Sequence, residues 1–223
     1  MLHYWQREID NLKKLTLSLG AIVEEQIQRA MLSLERRDSE LASEVILKDR
    51  EIDSLEIVIE EECLKILALY QPVAKELRFV VAVLKMNNDL ERIGDLAGNI
   101  AKRALYLSQK EKIPLLSDFK EVTIKVQAMV KKSLDALVNT DMNLAREVCA
   151  ADDEVDNLTK QILQKTIEAI EKEPARTTDY FNVRSVSKNL ERIADSATNI
   201  AEDVVYLCTG EIIRHKGEDF NPD

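Results

Sequence analysis

Residues 90–101 read Leu-Glu-Arg-Ile-Gly-Asp-Leu-Ala-Gly-Asn-Ile-Ala, and residues 190–201 read Leu-Glu-Arg-Ile-Ala-Asp-Ser-Ala-Thr-Asn-Ile-Ala. Nine of these twelve positions are identical at an offset of 100, and Tyr106-Leu107 and Tyr206-Leu207 extend the match. Upstream, residues 41–55 align with 144–158 at an offset of 103, with eight of fifteen identical. The change of offset places a three-residue deficit between these blocks, expected in a shorter turn before the third helix of the second half. Self-similarity of this extent marks a duplicated structural unit. Within the repeated block Leu90, Ile93, Ala97, Ile100, Ala104 and Leu107 recur at spacings of three and four, the period of one buried helix face.

The same period runs outward through the chain. Leu12, Leu15, Leu19, Ile22, Ile27, Ala30 and Leu34 mark a first helix ending near Arg37, and Asp38 is placed to cap a second that runs to about Leu69. Pro72 then ends one segment and opens the next, because proline disfavours helix in the residue before it and suits a first helical turn. A third helix is expected over 73–109, a connector with Pro114 over 112–117, and further helices over 117–139, 141–172 and 175–213. Only 5 glycines and 4 prolines occur in 223 residues, against about 12% in average proteins, too few for the turns of a sheet protein. The expected fold is all-α: two tandem three-helix bundles related by internal duplication, six long helices in all. The first repeat covers 1–112 and the second 113–215, with 216–223 a frayed tail.

The chain carries 31 basic and 41 acidic residues, a net charge of −10. That sign disfavours general binding to nucleic acid or anionic membranes and is compatible with cationic ligands. The longest apolar stretch, Phe79 to Leu84, is far too short to span a bilayer. Cys63, Cys149 and Cys208 are far apart, odd in number and without a CxxC, as buried thiols in a reducing compartment would be. With no apolar signal core at the start, a cytoplasmic location is expected.

The repeat also carries charge. Glu91 and Asp95 lie four apart on one helix and recur as Glu191 and Asp195; on the preceding helix Asp49 and Asp53 recur as Asp152 and Asp156. Like charges at this spacing repel, and more so where water is excluded. Many acid-x-x-x-acid pairs occur by chance in a chain with 41 acidic residues, and any one is most simply a solvated face. Four at equivalent places in two repeats point to a ligand. Such a set is balanced by bound cations or by arginines, for which Arg92 and Arg192 are candidates. Carboxylate oxygens are hard donors, suited to iron, manganese, magnesium or calcium. Ferritin-like di-iron bundles require Glu-x-x-His motifs, and His3 and His215 have no such spacing. No phosphate loop, GxSxG or HExxH occurs.

The stretch Lys48–Leu55, the turn Gln71-Pro72-Val73-Ala74-Lys75-Glu76-Leu77-Arg78 and both Leu-Glu-Arg-Ile-x-Asp-x-Ala-x-Asn-Ile-Ala blocks resemble the PhoU proteins, phosphate-uptake regulators of bacteria and archaea. The turn is less well matched in the second half, where Glu173-Pro174-Ala175-Arg176 replaces it. The resemblance implies two PhoU-type bundles and multinuclear metal clusters with iron or zinc. The implied ligands are Asp49, Asp53, Glu91 and Asp95 for one cluster and Asp152, Asp156, Glu191 and Asp195 for the other. It further implies a regulator rather than an enzyme, acting as a homodimer to restrain the phosphate transporter through its ATPase, PstB, and to hold the phosphate-sensing kinase, PhoR, inactive. Two alternatives stay open from the residues themselves. One is a metal-dependent phosphohydrolase, in which clustered metals activate water. The other is a metal-free helical scaffold with solvated acidic stripes.

Overall fold

The computed structural model describes residues 2–114 and 119–210, and the expected tail lies outside them. Six helices follow in order: α1 (Leu2–Arg36), α2 (Ser39–Tyr70), α3 (Ala74–Ser108), α4 (Phe119–Asn139), α5 (Met142–Lys172) and α6 (Thr177–Thr209). α1–α3 form one three-helix bundle and α4–α6 the other, with α3 packed against α6 between them.

The duplication is visible at atomic detail in the turns. After α1, Arg37 is left-handed (φ 58°), its N–H donates to Leu34 O and that of Asp38 to Ser33 O. After α4, Thr140 (φ 53°) and Asp141 bond Leu137 O and Ala136 O in the same way. This paired bonding satisfies carbonyls that a helix end leaves orphaned. Asp38 and Asp141 then cap α2 and α5, each carboxylate accepting from two backbone N–H groups of the first turn.

The three-residue deficit does not shorten the connector, which is three residues between α2 and α3 and four between α5 and α6. It falls in the first turn of the third helix: α3 begins at Ala74, whereas a 3-10 turn over Pro174–Arg176 delays α6 until Thr177. At the other end α6 is described to Thr209, and the expected extension to 213 lies outside the described residues. After Thr209, Gly210 takes a left-handed φ of 78° and its N–H bonds Tyr206 O, a common helix stop.

α3 and α6 are the most buried helices, with 16 and 17 buried residues against six each in α2 and α5. They run antiparallel. Arg78 reaches Leu207 O, Lys85 lies 3.4 Å from the buried Asp203, Asn199 donates to Asp89, Arg103 to Asn182 and Tyr106 to Asp179. In that register the midpoint falls at Ile93 and Ile193, the same position of the two repeats and both fully buried. A pseudo-two-fold axis therefore passes between them, and Glu91 comes level with Asp195. α1 and α4 also touch across this axis beside Gly20, where an added Cβ would lie 2.6 Å from Leu134 Cδ1.

Candidate metal centre

In the first repeat the close approach of α2 to α3 is set by glycine. A Cβ built on Gly94 would lie 2.6 Å from Ile52 Cδ1, and one on Gly98 would lie 3.8 Å from Asp49 Oδ2. Two turns before Gly94, Asn87 Nδ2 donates to the backbone carbonyl of Glu56 at 2.8 Å and to its carboxylate at 3.2 Å. These contacts fix the register of the pair. Ile52 and Gly94 form its apolar seam, and Asp49/Asp53 on α2 flank that seam opposite Glu91/Asp95 on α3.

The four carboxylates lie within electrostatic range of one another. Burial, then the charges of Asp95 and Asp53, pushes the Asp49 carboxyl up from its ordinary range, with Lys102 acting in the opposite sense. Burial also raises Glu91, followed by Asp95, Asp53, Glu56 and Asp49. The second repeat behaves alike. Asp152 is pushed up to about 6, first by burial and then by Asp195 and Asp156, while the nearby Thr198 hydroxyl acts in the opposite sense. Asp195 is raised by burial and Glu191, against Lys188 and Arg92. Both causes disfavour the charged carboxylate, and a bound cation would offset both.

The structure thus brings Asp49, Asp53, Glu91 and Asp95 together, and separately Asp152, Asp156, Glu191 and Asp195. It adds residues that repeat matching passed over. Glu56, raised by burial and by Glu60 and Asp53, borders the first set; its counterpart is Thr159, so a search restricted to matching acids discards it. Its position one turn beyond Asp53 on the same helix was the available signal. The compensating charges also differ from those expected. Arg92 acts on Asp195 of the opposite repeat, and Glu191 is paired with Lys188 (2.6 Å) and Arg184 (3.9 Å).

The donor set is chemically suited to a hard cation, being carboxylate oxygens only, with the Asp49 carboxylate facing the bare backbone of Gly98. Among the described residues no three acidic, histidine or cysteine side chains converge closely enough to hold one ion. The carboxylates lie near one another without meeting, as mutually repelling groups do.

A model of the PhoU domain matches residues 16–104 and 119–204, one copy on each bundle. The chain belongs to the PhoU family. A phosphate-specific transport system accessory protein PhoU homolog of Pseudomonas aeruginosa is 36% identical over 211 residues, covering 94% of this chain and 87% of that protein. PhoU homolog 1 of Thermotoga maritima is 34% identical over 209 residues, covering 93% and 90%. Among solved structures, that of PhoU from Pseudomonas aeruginosa superimposes with a TM-score of 0.90 at 36% identity, over 93% of this chain and 100% of that one. The phosphate transport system regulatory protein PhoU from Streptococcus pneumoniae superimposes with a TM-score of 0.86 at 29% identity, over 93% and 98%. The PhoU relatives are named as accessory or regulatory proteins of a phosphate transport system. No described helix is long and apolar enough to cross a membrane.

Proposed function

We propose that this PhoU-family chain is a non-enzymatic, cytoplasmic, metal-binding adaptor that works as a homodimer. In this reading it restrains the phosphate ABC transporter through its ATPase, PstB, and keeps the phosphate-sensing kinase, PhoR, inactive when phosphate is ample. The observation that carries the metal-binding part is the pair of carboxylate sets at equivalent places of the two repeats, each desolvated and self-repelling. Asp49, Asp53, Glu91 and Asp95 would hold metal between α2 and α3, and Asp152, Asp156, Glu191 and Asp195 between α5 and α6. Iron or zinc is the proposed metal, with manganese, magnesium and calcium as other hard-donor options. A bound multivalent cation would offset the mutual repulsion of the carboxylates, and so tie α2 to α3 and α5 to α6.

For the protein contact we assign the end of the molecule at the α2–α3 turn. Leu64, Leu69, Val73 and Leu77 are exposed there, Leu69 and Val73 to about 70%, and exposed apolar residues in a group mark interaction surfaces.

The test is genetic and physical together. In a bacterium lacking its own regulator of this family, expression of this chain is expected to restore repression of phosphate-starvation genes in ample phosphate. The tagged chain is expected to retain the transporter ATPase and the kinase, and the protein to run as a dimer in light scattering. Restoration of neither repression nor partner retention would overturn the adaptor role. Chelator-sensitive hydrolysis of phosphate esters would favour the phosphohydrolase.

A further inference from the structure

The two carboxylate sets are not equivalent in their immediate partners. In the second repeat Glu191 is held by Lys188 Nζ at 2.6 Å, with Arg184 Nη2 at 3.9 Å, and Asp156 by Lys160 Nζ at 3.4 Å. Two of the four carboxylates therefore already have a cation of the chain itself. Arg92, crossing from the first repeat, adds its field at Asp195. In the first repeat none of Asp49, Asp53, Glu91 and Asp95 has an ion-pair partner among the described residues. The residues at the places of Arg184, Lys188 and Lys160 are Leu84, Asn88 and Ile57, all uncharged.

Lys102, the cation acting on Asp49, bonds the side chain of Asn99 instead of a carboxylate. Its counterpart Glu202 adds negative charge near the second set, where it acts on Cys149. That difference runs the other way but involves no direct contact with a ligand carboxylate. Each set has one further acidic neighbour. Glu56 acts on Glu91 in the first, where the second repeat has Thr159 with its hydroxyl turned back to Asp156 O. Asp153 acts on Asp152 in the second, where the first repeat has Arg50, so the gradation rests on the ion pairs.

We infer that the two centres are graded. The first, Glu56-bordered set is the tight cation site; the second is a weaker one that a metal enters only by displacing Lys188 and Arg184 from Glu191. This deepens the metal-binding reading above and rests on it. The gradation makes occupancy of the second centre sensitive to metal concentration over a range in which the first stays filled. A lysine or arginine near a metal site opposes the ion both by competing for the carboxylate and by like-charge repulsion. At partly exposed positions each such charge weakens binding on the order of tenfold or less.

The test is Mn2+ titration of the full-length chain by calorimetry, with helicity checked by circular dichroism. Two variants isolate the centres: Glu191→Gln/Asp195→Asn leaves the first, and Glu91→Gln/Asp95→Asn leaves the second. The first alone is expected to bind Mn2+ on the order of tenfold to a hundredfold more tightly than the second alone. Introducing Arg184→Leu/Lys188→Asn, which copies the first repeat, is expected to tighten the second centre about tenfold, and Glu56→Thr to weaken the first. Equal affinities, or a second centre indifferent to loss of Arg184 and Lys188, would overturn the gradation while leaving metal binding intact. A folded wild-type chain that binds no Mn2+, Fe2+ or Zn2+ would overturn the metal reading itself, and the gradation with it.

Discussion

A Cβ added to Gly94 would lie 2.6 Å from Cδ1 of Ile52 and 3.2 Å from its Cγ2. The second repeat makes the opposite choice at both positions, with Ala194 and Val155, each buried. One methyl group has in effect moved from α2 to the third helix. Because Ile52 lies between Asp49 and Asp53, and Gly94 between Glu91 and Asp95, this contact sets how closely the two carboxylate rows approach.

Gly94→Ala is therefore expected to destabilise the protein by about 1 kcal/mol, overpacking against a stiff β-branched side chain outweighing the gain in helix propensity. Adding Ile52→Val, which reproduces the second repeat, should restore stability to wild type or above. Urea unfolding of the single and double variants checks this; an uncoupled pair would show that the helices separate freely here.

In metal-free protein, Asp152 with its carboxyl near 6 binds a proton more tightly folded than unfolded, where an aspartate titrates near 3.9. Folding is then favoured by protonation. Its ionisation costs nothing below about pH 4 and costs progressively more as pH rises through 6. Asp152→Asn removes this term, so its melting temperature should match wild type near pH 4 and exceed it by a few degrees at pH 7.5 in chelator. With saturating metal the sign reverses, since a ligand of the native state stabilises it.

The cysteines should differ in reactivity. Cys63 is fully buried and its thiol is pushed up to about 12, chiefly by burial and then by Glu62 and Glu60. Cys149 is pushed up to about 11, again chiefly by burial. Cys208 at the end of α6 is less enclosed, its thiol donating to Thr140 O at 3.5 Å. Alkylation of native protein at pH 8 should label Cys208 first and leave Cys63 protected until unfolding, as peptide mass spectrometry would show.

At the α2–α3 turn, Leu69→Ser and Val73→Ser remove exposed apolar surface and touch no buried contact. Stability should change by less than about 0.5 kcal/mol, with metal content unaltered and retention of the transporter ATPase lost. Retention at the wild-type level would move the partner surface elsewhere.

Much of the fold was legible because each signal had a single physical cause. The 3.6-residue period of the Leu90–Leu107 stripe is the face that α3 buries, and Asp38 caps α2 as its residue type and place predict. The two offsets located the duplication. They did not reveal which element absorbs the three-residue difference, because a 3-10 turn and a helix turn at Pro174 read alike in sequence. For the candidate centre, helix geometry pairs residues four apart, so the carboxylate pairs were evident. Their partners from other turns and other helices were not: Arg184 reaches Glu191 over seven residues, and Arg92 acts on Asp195 from the other repeat. The first lies two turns apart on one helix, beyond the four-residue spacing that was read; the second depends on the α3–α6 register, which no local pattern encodes.

The proposed function requires that the paired carboxylates hold metal. Elemental mass spectrometry on untagged protein, purified without chelator and dialysed, tests it most directly. A tightly retained transition metal is expected, most of it lost in Glu91→Gln/Asp95→Asn and less in Glu191→Gln/Asp195→Asn. Fully folded wild-type protein that retains no metal, with a melting temperature indifferent to chelator and to added cation, would contradict it.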